Sequence, residues 1–149
     1  MPKLGNKLSG TRTRARELMV QALYQKQIAG HSTSELISQY QAQAAYKRVD
    51  QAFFDEHFEV ISNTQDALES MIEGLIDRPL KQLDPIELSI LLIGVYELDS
   101  CIDIPYKVVI NEGVNLAKRF GSIEGHKYIN ACLDLAARSL RDFEIKKKN

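Results

Sequence analysis

Arg12, Arg14 and Arg16 place three guanidinium groups within one and a half turns of a helix. Groups of this kind contact phosphate through planar, paired donors and stack on bases. On a 3.6-residue period Gln21 shares a face with Arg14, while Arg16 and Tyr24 flank the apolar stripe on the other side. An amide that can read a base edge and a ring that can stack on a base therefore accompany the phosphate-binding groups. Lys3 and Lys7 extend the positive field. A second basic and aromatic group follows later: Tyr106, Lys107, Lys118, Arg119, Phe120, Lys127 and Tyr128, with Phe120 and Tyr128 bracketing the connection 121–125. Singly, each has an ordinary explanation, because a basic residue at a helix end complements the dipole and a lone tyrosine is commonly half-buried core. As a set they point to RNA.

Other chemistries find no matching pattern. Metal binding needs clustered ligands, yet His31, His57 and His126 lie in separate segments without a second histidine or cysteine three or four residues on. Cys101 and Cys132 show no Cys-x-x-Cys spacing and read as reduced, buried thiols. There is no Gly-x-Ser-x-Gly turn for a nucleophile and no glycine-rich loop for a nucleotide phosphate. The chain is expected to be no enzyme, with no cofactor and no metal.

A net charge of −1 conceals a strong segregation. Residues 1–48 carry eight Lys/Arg against two acids, residues 49–103 carry two against thirteen, and residues 104–149 carry nine against five. A polyanion should favour the two ends and a basic protein the middle, since summed charge steers encounter. Two different partners are implied. The N-terminus lacks the apolar core of a secretory signal, and the longest apolar run, Ile90 to Val95, is far too short to span a bilayer. A soluble, cytoplasmic protein is expected.

The elements that must hold these residues read as helices throughout, with no strand signal. The first is expected from about Thr11, with Ala15, Leu18, Met19, Ala22 and Leu23 inward and Gly30 as its stop. A second runs from a cap at Ser32 to Ser34 towards Arg48. A third pattern covers Asp50 to Asp77, with Ser62-Asn63 as a candidate break, and Pro79 ends it. Asp84-Pro85-Ile86-Glu87 is a start signal: an N-cap carboxylate, proline at the first position and a glutamate placed for a capping box. The helix behind it is apolar around its circumference and belongs at the centre. Pro105 opens the next, closed by Lys118-Arg119 and Gly121, and a last one runs from Gly125 to Arg141 before a frayed tail. The fold class is all-α, a compact domain of about seven helices. Residues 1–10 are expected as a flexible basic arm, 11–142 as the single domain and 143–149 as the Lys-rich tail.

Several strings carry a resemblance: Arg14-Ala15-Arg16-Glu17 leading into Val20-Gln21-Ala22-Leu23-Tyr24, then Tyr96-Glu97-Leu98, Ile104-Pro105-Tyr106-Lys107-Val108, Ile110-Asn111-Glu112, Leu116-Ala117-Lys118-Arg119-Phe120-Gly121, His126-Lys127-Tyr128-Ile129-Asn130 and Leu133-Asp134. From about Thr11 to Ala137 the chain resembles the NusB family of bacterial transcription antitermination factors. The resemblance implies two small, orthogonally packed helical bundles and no catalysis. It implies binding of boxA-type single-stranded RNA in ribosomal RNA leader transcripts, jointly with the small-subunit ribosomal protein NusE, in a complex with other Nus factors and RNA polymerase. It assigns RNA contacts to Arg12, Arg14, Arg16, Gln21, Tyr24, Phe120, Glu124, Lys127 and Tyr128, and partner docking to Glu87. Thr13 replaces a frequent arginine, Gly113 a usual alanine at up to ~1 kcal/mol of helix propensity, and Ala131-Cys132 a Gly-Val pair. A related module precedes the catalytic domain of some ribosomal RNA cytosine methyltransferases, and a stand-alone factor is expected here. Some family members self-associate through the RNA surface, so a homodimer stays open. From the residues alone, the alternative is a non-catalytic protein–protein interaction module.

Overall fold

The computed structural model describes the backbone of residues 2–121 and 124–148 and the side chains of residues 10–121 and 124–147. Among them every regular element is helical, as the sequence predicts. In chain order these are α1 (Pro2–Ala29), α2 (Thr33–Gln41), a 3-10 helix (Ala44–Arg48), α3 (Gln51–Asn63), α4 (Gln65–Glu73), a 3-10 turn (Leu80–Gln82), α5 (Pro85–Ser100), α6 (Tyr106–Phe120), α7 (Gly125–Leu140) and α8 (Asp142–Lys148). The chain divides into two units, Met1–Thr64 and Gln65–Asn149.

The boundaries depart from expectation at both ends. Helix α1 starts at Pro2, not near Thr11, so the expected arm continues the helix; once a turn is nucleated, each further residue adds a hydrogen bond at little cost. The side chains of Lys3 and Lys7 lie outside the described residues. At the other end the expected tail forms α8, tied back through Glu144. The side chain of Lys148 lies outside the described residues.

In the first unit, α1 buries the five predicted residues and Val20 as well. Gly30 closes it with φ +71, and its N–H donates to the Lys26 carbonyl at 3.0 Å; only glycine enters that region without strain. Helix α2 is shorter than expected, ending at Gln41 before the chain tightens into the 3-10 helix. Asp50 caps α3 by accepting the Phe53 N–H at 3.0 Å, and its own N–H donates to the Thr11 carbonyl at 3.0 Å. Phe54 and Phe58 stack at 5.7 Å, and Tyr46 meets Phe54 edge-on at 5.9 Å. These rings build an aromatic core. The break after α3 falls at Thr64, whose hydroxyl donates to the Val60 carbonyl at 2.7 Å.

In the second unit α5 is buried from Leu88 to Val95, as its all-round apolar sequence requires. Asp84 caps it, accepting the Ile86 N–H at 2.7 Å. Helices α6 and α7 close on α5 around one side chain, Leu133, which is fully buried. A Cβ at Gly94 would stand 2.6 Å from Leu133 Cδ2, and one at Gly113 2.5 Å from Leu133 Cδ1. The propensity lost at Gly113 is therefore set against close helix packing. Gly94→Ala would crowd both methyls of Leu133, at 2.6 and 3.1 Å, and Leu133 is fully buried, so they have no open space to move into. Overpacking of this kind costs about 1–3 kcal/mol, beyond the ~1 kcal/mol that alanine gains in a helix. Gly94→Ala is expected to lower the thermal midpoint, and in a Leu133→Ala background to stop lowering it. Equal effects in both backgrounds would contradict this account.

The largest surprise is Arg141. It is 0% exposed, and all of its nitrogens donate: Nε to the Leu98 carbonyl at 2.7 Å, Nη1 to the Ile104 carbonyl at 2.9 Å and Glu144 Oε1 at 2.6 Å, Nη2 to the carbonyls of Glu97 at 3.0 Å and Cys101 at 2.9 Å. The other Glu144 oxygen accepts the Tyr106 N–H at 3.0 Å. One guanidinium thus closes the C-terminus of α5, the turn to α6 and the start of α8.

Candidate nucleic-acid interface

Helix α1 carries the first group, and its register decides which residues reach solvent. Ala15, Leu18, Met19, Ala22 and Leu23 point inward, so Arg14, Gln21 and Tyr24 emerge; all three are exposed. Arg12 is half exposed, with Nε 3.5 Å from Asp50 Oδ2. Arg16 departs from its expected role. It is only 3% exposed, with its guanidinium carbon 4.9 Å from the centroid of the Phe53 ring. Helix α3 packs on the side of α1 that Arg16 occupies, which the helical period of α1 alone does not reveal. A cation so enclosed has no surface to give a phosphate.

The second group lies wholly in the other unit. Phe120, at the end of α6, is half-buried with the Arg119 guanidinium carbon 5.5 Å from its ring centroid. Residues 122–123, within the connection expected to make contacts, lie outside the described residues. Glu124 and Lys127 are both exposed and form an ion pair at 3.4 Å. Glu124 thereby orients the lysine, and its carboxylate could accept from a base amine. Tyr128 is half-buried on the first turn of α7, and its hydroxyl donates to Asp77 Oδ1 at 3.5 Å. Burial pushes the phenol up to about 12, so it remains a donor at any physiological pH.

Around Tyr128 the structure adds residues the sequence reading missed. Arg78 places its guanidinium carbon 4.5 Å from the centroid of the Tyr128 ring and donates from Nε to Asp77 Oδ1 at 2.9 Å. That bond holds the Asp77 carboxyl below its usual range and the Arg78 guanidinium above its own. Both residues lie between α4 and the following 3-10 turn, where no periodicity links them to a ring far away in sequence. Cys132, one turn beyond Tyr128, is buried, and burial pushes its thiol up. Cys101 is only partly buried, short of the expectation, and its thiol is likewise raised by burial.

Glu87 stands in the first turn of α5, partly exposed. Its carboxyl is raised, first by desolvation and then by the charge of Asp84, with Arg78 opposing both. The sign follows from linkage. A carboxyl raised in the folded state holds its proton more tightly there, so its contribution to stability is largest in acid and is lost as pH rises through the folded value. Glu87→Gln is therefore expected to raise the melting temperature slightly at neutral pH, with the gain vanishing below pH ~4. A loss of stability at neutral pH would contradict it.

No group of three or more His, Cys, Asp or Glu that could hold a metal ion occurs among the described residues. No helix among them is long and apolar enough to cross a membrane.

Comparison with known proteins gives one answer. The model of the NusB family matches residues 13–138. A transcription antitermination protein NusB of Marinobacter nauticus is 42% identical over 139 residues, 93% of this chain and 88% of that protein. The NusB of Thiobacillus denitrificans is 43% identical over 93% of this chain and 95% of its own length. That of Pseudomonas syringae pv. tomato is 39% identical over 97% and 88%. The solved structure of T. maritima NusB has the same fold, with a TM-score of 0.70 over 85% of this chain and 90% of that one at 24% identity.

Proposed function

Because the chain belongs to the NusB family of transcription antitermination proteins, we propose that it binds boxA-type single-stranded RNA in ribosomal RNA leaders together with NusE and so promotes processive transcription of those operons. It acts by assembly, without catalysis, in the cytoplasm, and other Nus factors and RNA polymerase complete the complex. The observation that carries this reading is the set of exposed groups on α1: Arg14, Gln21 and Tyr24 emerge on its outward side and Arg12 is half exposed on the side facing Phe53, so that phosphate-binding, base-reading and stacking groups occur together on one helix. In the second unit Lys127 and Tyr128 offer a charge and a ring of the same chemistry, with Phe120 and Glu124 beside them. Single strands suit such a set, because an A-form duplex hides its base edges in a deep, narrow groove.

The acidic middle of the chain supports the second partner. A basic ribosomal protein is steered by thirteen acids against two basic residues in 49–103, and Glu87 offers the partly desolvated anion on which a cation would settle. Titration of a boxA RNA and a scrambled RNA, each with and without NusE, tests the proposal. Tighter binding of boxA, strengthened by NusE and weakened steeply by salt, is expected. Equal, feeble binding of both oligonucleotides in the presence of NusE would overturn it in favour of a protein–protein module.

A further inference from the structure

Phe53 lies where two arginines of the α1 run converge. The guanidinium carbons of Arg12 and Arg16 each stand 4.9 Å from its ring centroid. The two arginines are four residues apart on α1 and so share a face; one ring from α3 serves both. His57, four residues further along α3, lies against the same ring at 3.8 Å with the planes tilted by 32°. The neighbouring rings behave differently. Phe54 and Phe58 stack on each other, with Tyr40 and Tyr46 beside Phe54, whereas Phe53 has cations over it. Asp50 completes the arrangement: one carboxylate oxygen lies 3.5 Å from Arg12 Nε, the other caps the Phe53 N–H, and the Asp50 N–H donates to the Thr11 carbonyl. Two cations over one ring repel each other, and the Asp50 carboxylate beside Arg12 offsets that repulsion.

The consequence for binding follows from the shape of a guanidinium. Its face can lie on a ring while its edge carries the N–H donors, so stacking and phosphate contact do not compete. A solvated arginine surrenders rotamer freedom when it grips a phosphate. One already laid over a ring and held at Nε has surrendered it on folding. With Asp50 at Nε and half of the side chain exposed, the terminal Nη groups are those offered to the RNA.

We propose that Phe53 is a positioning residue for RNA binding, its buried ring ordering the Arg12 guanidinium for phosphate contact. This rests on the RNA-binding reading of Arg12. It is tested by a double-mutant cycle: RNA affinity of the full chain, with NusE present, is measured across salt for the wild type, Arg12→Ala, Phe53→Leu, the pair together and Phe53→Tyr, each shown folded by its melting curve. Arg12→Ala should weaken binding and flatten the log–log salt slope by about 0.7. Phe53→Leu, which keeps an apolar side chain and loses the ring, should weaken binding about 3–10-fold. It should add nothing in the Arg12→Ala background, and Phe53→Tyr should bind as the wild type does. If Phe53→Leu is not folded, Phe53→Met takes its place. If Arg12→Ala binds RNA unchanged, the RNA reading of Arg12 falls and takes this inference with it. If Arg12→Ala weakens binding and loss of the ring does not, or does so equally with and without Arg12, the inference alone falls and the RNA reading stands.

Discussion

Arg141→Met should cost about 3–5 kcal/mol of folding stability, the largest effect expected of any single substitution in the second unit. Methionine keeps much of the volume and removes every donor. Left behind are the carbonyls of Glu97, Leu98, Cys101 and Ile104 and the Glu144 carboxylate, all now facing Arg141. An unsatisfied buried acceptor costs on the order of 1–3 kcal/mol, a charged one more. The C-terminus of α5 would also lose the cation that complements its dipole. Urea denaturation should show the loss directly, and melting should fall by on the order of 10 °C for a chain of this size. Hydrogen exchange should quicken first in α8, because Glu144 reaches Tyr106 from a helix that Arg141 anchors. A loss below about 1 kcal/mol would mean that water replaces the guanidinium at little cost. Glu144→Gln is the milder companion, since an amide keeps an oxygen for one of the two bonds.

The contrast between Arg141 and Arg16 shows where sequence reasoning reached its limit. Helix α5 was legible because its apolar residues leave no polar face, and its start because aspartate, proline and glutamate each have a physical reason to stand there. The α1 row was legible for the same reason: five apolar residues fix one face, so Arg14, Gln21 and Tyr24 had to emerge. Burial of an arginine has no such signature. Arg141 in the sequence is a basic residue before a lysine tail, and only the meeting of the α5 terminus with the start of α8 encloses it. Arg16 looks like Arg12 and Arg14 until α3 brings Phe53 against it. Arg78 and Asp77 stand in a connection without period, so nothing local assigns them to Tyr128. What the sequence concealed, in each case, is a polar group placed by tertiary packing between segments distant in the chain.

That distinction makes the three arginines separable by experiment. Replacing Arg12 and Arg14 together by alanine should weaken RNA binding roughly 10–100-fold at moderate salt, since each exposed guanidinium gives up a charge-assisted phosphate contact. The log–log salt slope should flatten by about 1.4, near 0.7 for each contact on a single strand. Stability should change little, because Arg14 is exposed and Arg12 is half exposed beside Asp50. Arg16→Met should do the reverse. The buried cation over Phe53 is lost and the melting temperature moves, while the salt slope stays at the wild-type value because a side chain 3% exposed makes no phosphate contact. Were Arg16→Met to flatten the slope as the double variant does, α1 would have to turn or unpack from α3 on meeting RNA. Were the double variant to bind normally, the exposed arginines of α1 would not be the RNA contacts, and the basic and aromatic residues at the start of α7 would have to carry them.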